Sequence, residues 1–209
     1  MNVFSYPMMY VFLRDSEGRP LFLRDLFATL FISTLISIPF ILSGANYFGD
    51  RGFLDRFGSF CAVLTGFYIA ALVGVATLSS SVGDVDTPIE VGKITFREND
   101  GDERELTRRE YVCAIFAYLS FLSLLLSLLS ITFIVIAPPI ALHLPIIFDY
   151  LAIPSFIASK LTPSLVILFM ALIISQMIVT TFHGLYYFID RLYYKKAVLS
   201  DEEPDDTAP

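Results

Sequence analysis

Four stretches of this sequence contain no Asp, Glu, Lys or Arg: residues 26–49, 57–83, 111–148 and 161–189. Each exceeds the roughly 18 to 20 residues that an apolar helix needs to cross a bilayer core. Backbone inside lipid finds no water to pair with, so such runs fold as helices that satisfy their own N–H and C=O groups. With 56% hydrophobic residues and a mean hydropathy of +0.69, the chain is too apolar for an ordinary soluble domain. The expected fold is an all-α polytopic membrane protein: four transmembrane helices with small cytoplasmic β-hairpin elements.

The runs divide the chain into an N-terminal segment (1–25), a first transmembrane hairpin (26–83), a charged loop (84–110), a second transmembrane hairpin (111–189) and an acidic tail (190–209). The N-terminal segment spreads its charges and lacks the short apolar core of a cleavable signal, so an uncleaved membrane protein is expected. Residues 8–25 read as two short apolar runs around a polar turn. This is either a small hairpin or an amphipathic segment lying on the membrane, since short apolar runs do not separate strand from helix.

The loop 84–110 is the one sizeable polar island between spans, with nine acidic and five basic residues. Residues 89–97 alternate between apolar and polar, and Asp100-Gly101 is a turn dipeptide, so a hairpin is expected there. Its charged residues Lys93, Arg97, Glu98, Asp100, Asp102, Glu103, Arg104 and Glu105 are the candidate docking site for a soluble protein. Thr107 and Glu110 have the spacing of a capping box and predict a helix start just before Tyr111.

Lys and Arg number eleven in the first, third and last polar segments and three in the two between. The positive-inside rule therefore places both termini and the island in the cytoplasm. It also sets Cys61 and Cys113 near opposite ends of their spans, which argues against a disulfide between them.

Three stripes of small or polar residues mark helix faces. Gly58, Ala62, Gly66, Ala70 and Gly74 recur every four residues and offer close packing to another span of the same chain or to a second copy. A Gly66→Leu change is expected to disrupt assembly in either case. Ser120, Ser123, Ser127 and Ser130 form a second stripe, facing a neighbouring helix or, in the sharper reading, a hydrated pore. Gln176, Thr180 and His183 form a third, read as interhelical glue, with pH sensing as the alternative for the histidine. Pro39 is expected to kink the first span. Prolines 138, 139, 145, 154 and 163 are expected to break the helix and press 138–163 against the outer membrane face as a short helix or loop.

The chemistry of the chain is sparse. No metalloprotease motif, nucleophile elbow, phosphate loop or pair of intramembrane carboxylates is present, so no enzymatic activity and no cofactor is expected. His143 has no metal-ligand neighbours at suitable spacing. The net charge of −7 argues against direct nucleic-acid binding. The expected role is a non-catalytic oligomeric membrane sensor or scaffold that recruits a cytoplasmic protein; an oligomeric pore or channel is the alternative.

Four spans with a charged loop, 89–110, between two hairpins also resemble the membrane-subunit family of the Kiwa anti-phage defence system. The resemblance is one of whole-chain architecture. It implies a homo-oligomer in the bacterial inner membrane that senses phage attack and works with a cytoplasmic DNA-binding effector. It implies no catalytic residue.

Overall fold

A computed structural model describes residues 7–15, 18–49, 51–77, 89, 94–97, 103–150 and 155–190. The chain forms two single-turn helices, Met9–Phe12 (α1) and Leu21–Arg24 (α2), then Leu26–Ser43 (α3) and Phe53–Thr77 (α4). Two three-residue strands follow, Thr95–Arg97 (β1) and Glu103–Glu105 (β2), and then the long helices Arg108–Tyr150 (α5) and Ser155–Asp190 (α6). Helices α3 to α6 each carry a segment long and apolar enough to cross a membrane.

Helix α4 packs along α5, α5 along α6, and α6 along α3. Consecutive helices α3 and α4 meet at the loop between them, where Phe40, Tyr47 and Phe53 bring their rings within 4.9 to 5.5 Å of one another. Helix α3 ends where Gly44 takes a left-handed conformation, φ 64°, which glycine adopts without penalty. It runs through Pro39, whose carbonyl accepts from Ser43 Oγ.

The packing of α3 is inverted relative to a helix of a water-soluble bundle. On α3 the buried residues are Thr29, Ser33 and Ser37, whereas Phe27 is 84% exposed and Phe31 and Leu35 are also exposed. Such a helix turns its hydroxyls to its neighbours and its aliphatic and aromatic groups outward, the arrangement that suits lipid.

Several boundaries differ from expectation. Helix α4 starts before residue 57, because Asp55 in its first turn complements the helix N-terminus and Arg56 Nε reaches back to the Arg51 carbonyl. Helix α5 does not break at Pro138; it continues through Pro138, Pro139 and Pro145 to Tyr150. Pro138, Pro139 and Pro145 each lack an N–H for the helix ladder, yet the helical path is kept through all three. The short outer helix or loop expected at 138–163 is thus replaced by the continuing ends of α5 and α6, with residues 151–154 outside the described set. At 43 residues, α5 is about 64 Å long at about 1.5 Å per residue, roughly twice a bilayer core.

The expected β-hairpin elements are not supported in that form. Among the described residues of 8–25, two helical turns flank an isolated antiparallel bridge between Arg14 and Pro20. In the island the β structure among the described residues is one antiparallel pair, with Thr95 opposite Glu105, Phe96 opposite Arg104 and Arg97 opposite Glu103. The turn residues 98–102 lie outside the described set, as does the tail 191–209.

Candidate functional site

The described residues of the N-terminal segment and of the island are joined by backbone hydrogen bonds. Arg14 N–H donates to the Thr95 carbonyl at 3.1 Å, and Thr95 N–H returns a bond to the Arg14 carbonyl at 3.0 Å. Arg14 is thereby added to the outer edge of β1. Within the N-terminal segment, Asp15 N–H donates to Arg19 and Leu21 N–H to Leu13, around a turn in which Gly18 supplies a φ of 75°. On the island side Leu106 N–H donates to the Ile94 carbonyl. Beneath these bonds Tyr10, Leu13, Leu21, Ile94, Leu106 and Tyr111 are buried together.

This polar cap is seated on the bundle. Tyr10 stacks on Tyr118 of α5, ring centres 5.1 Å apart. Burial, with Tyr111 and Asp25 nearby, pushes the Tyr10 hydroxyl well above its ordinary titration range. The start of α5 is fixed by a reciprocal capping box: Thr107 N–H donates to Glu110 Oε2 at 3.0 Å and Glu110 N–H to Thr107 Oγ1 at 3.2 Å.

A charged latch lies where the cap meets the spans. Asp25, buried at the head of α3, brings Oδ2 to 3.0 Å from Nδ1 of His183 on α6. The approach is close, but Nδ1 makes no aligned hydrogen bond there. Arg24 approaches both Asp25, at 3.5 Å, and Asp15 of the cap, at 3.9 Å. One turn deeper, Thr29 Oγ1 donates to Gln176 Oε1 at 3.1 Å, and Gln176 Nε2 donates to Thr180 Oγ1 at 3.4 Å. The third stripe read from the sequence is therefore a ladder of polar contacts between α3 and α6. Asp25 and Arg24 were not legible as part of it, because the N-terminal segment gives no sign of which later helix it meets.

The serine stripe faces α4. Ser123 Oγ accepts from Thr65 Oγ1 at 2.9 Å, Ser127 is buried, and Ser130 is buried against Gly58. Ser120 is half-buried and bonds its own helix at Ala117. A Cβ on Gly58 would lie 2.6 Å from that of Ser130, so glycine sets this approach. The rest of the glycine stripe departs from the within-chain reading: Ala62, Gly66, Ala70 and Gly74 are exposed, and a Cβ on Gly66 or Gly74 would meet nothing within 4 Å. Helical residues advance about 100° each, so a four-residue repeat turns about 40° per step and winds off the face that begins at Gly58. The residues that do follow the α5 face are Leu54, Gly58, Cys61, Tyr68 and Val75.

Of the candidate docking residues, Arg97, Glu103, Arg104 and Glu105 stand on the paired strands. Lys93, Glu98, Asp100 and Asp102 lie outside the described residues. Among the described residues no group of three His, Cys, Asp or Glu side chains is placed to hold a metal ion. No family model, curated protein or solved structure matches the chain.

Proposed function

We propose that this protein is a non-catalytic membrane sensor or scaffold whose polar cap recruits a soluble partner. The observation that carries the reading is the pair of backbone hydrogen bonds between Arg14 and Thr95, which ties the paired strands β1 and β2 to the N-terminal segment. A cap joined to α5 by Tyr10 and to α3 and α6 by the Asp25 latch can exchange information with the packing of the spans. A partner that prefers one packing shifts the population toward it, and a change in the membrane that favours that packing strengthens partner binding.

In this reading the protein lies in the bacterial inner membrane with both termini and the cap in the cytoplasm, following the bias of Lys and Arg. It forms homo-oligomers through the outward small-residue face of α4, which allows close approach of a second helix. By its resemblance to the Kiwa membrane subunit, the partner is a DNA-binding effector of anti-phage defence, and the membrane protein itself does not touch nucleic acid. The polar stripes that would line a pore are instead engaged between helices of one chain, at Thr65 with Ser123 and at Thr29 with Gln176.

A pull-down from detergent-solubilised membranes tests the reading, comparing wild type with a chain whose residues 98–105 are replaced by Gly and Ser. A soluble protein retained by wild type and lost from the variant, with the membrane assembly intact, supports it. Equal recovery with both chains, or none with either, refutes the island as the docking site.

A further inference from the structure

Beyond recruiting a soluble protein, the cap carries an apolar edge that its own core does not use. In α1 and α2, Tyr10, Leu13 and Leu21 turn inward and are buried, but Phe12 is 60% and Leu23 is 56% exposed. These large side chains do not stand in isolation. Asp25 both closes α2 and opens α3, so Leu23 precedes the exposed Phe27 by four residues along a nearly continuous helical path. Four residues return a helix to nearly the same face. Leu23 thus continues the exposed apolar surface of α3, which faces lipid where α3 spans, and Phe12 stands exposed on α1, which packs against α2.

We infer that Phe12 and Leu23 insert into the headgroup and acyl boundary of the adjoining leaflet, making the N-terminal segment an interfacial anchor that holds the cap against the bilayer surface. Interfacial segments of this kind bury their apolar face about 5–10 Å below the headgroup level. The driving force is apolar burial. Residues 8–25 carry Arg14, Arg19 and Arg24 against Asp15, Glu17 and Asp25, and Arg24 is already engaged with two of these acids. A segment with balanced charge gains little from anionic lipid, so the anchor holds on zwitterionic membranes as well.

The protein contains no tryptophan, so a single introduced indole reports its own surroundings. Full-length Phe12→Trp, Leu23→Trp and, as a reference on the exposed middle of α3, Leu35→Trp are reconstituted separately into phosphatidylcholine vesicles, with and without phosphatidylglycerol. All three positions are exposed, so the substitutions leave the core untouched. The expected result is blue-shifted emission from Phe12→Trp and Leu23→Trp. Quenching is expected to be strongest with bromine high on the acyl chain, and alike in both lipid mixtures. Leu35→Trp is expected to be quenched best by deeper bromines.

Water-like emission at positions 12 and 23, quenched by acrylamide and not by brominated lipid while Leu35→Trp is quenched, would overturn the anchor and leave the patch to a protein partner. Quenching that requires phosphatidylglycerol would also overturn it, because charge rather than apolar burial would then hold the segment. Failure of brominated lipid to quench Leu35→Trp would contradict the span assigned to α3 and the anchor with it.

Discussion

Asp25 Oδ2 lies 3.0 Å from His183 Nδ1, joining the head of the first span to the end of the last. Arg24 carries this contact on to Asp15 in the cap. The spans and the cap therefore share one charged junction, and its removal is expected to loosen both.

Substituting His183 with Ala is expected to lower stability by at most about 1 kcal/mol, because the contact with Asp25 is partly exposed and makes no aligned hydrogen bond. Asp25→Ala is expected to have a similar effect. A double-mutant cycle read by thermal unfolding in detergent is expected to show coupling of at least about 0.5 kcal/mol, because the two side chains share one contact. Strict additivity would separate them.

The two kinds of glycine on α4 predict opposite outcomes. Gly58→Ala forces a methyl group against Ser130, only 2.6 Å from its Cβ, and overpacking of this kind costs about 1–3 kcal/mol. Gly66→Leu meets open space within the chain, so monomer stability is expected to be unchanged while association between copies weakens. Thermal unfolding of each variant, paired with native-gel migration, distinguishes the two.

Gln176→Leu removes both the Thr29 and the Thr180 contact. Interhelical hydrogen bonds in membranes average about 0.6 kcal/mol, with a maximum of about 1.7, so a modest loss of stability is expected. A larger loss, with altered conductance in liposomes, would instead favour a pore role for this stripe.

The cap is expected to weaken in alkali. Below pH 10 the Tyr10 hydroxyl is protonated whether the cap is folded or not, and the stability that burial confers is fully present. Above the ordinary value of 10.0, the unfolded segment releases this proton while the folded cap retains it, so stability falls as pH rises. Hydrogen exchange at residues 10–21 is expected to accelerate above that pH in wild type and to do so less in Tyr10→Phe.

The spans were legible because absence of charge over such lengths is a direct signal of lipid. The Thr107 and Glu110 box was legible because both partners lie within one turn. The reach of α5 past Pro138 was not, because five prolines within 138–163 are a signature of helix breaking. The glycine repeat misled because its period of four is near, but not equal to, the turn of a helix. The latch between Asp25 and His183 joins opposite ends of the chain, and no local pattern points from one to the other.

The central claim is that the cap docks a soluble protein, and site-specific photo-crosslinking in cells tests it most directly. A photoreactive residue replaces exposed Glu105 on β2 or, as a control, exposed Leu42 near the far end of α3. A discrete adduct with a soluble protein is expected at position 105 and none at position 42. No adduct at position 105, or the same adducts at both positions, would contradict it.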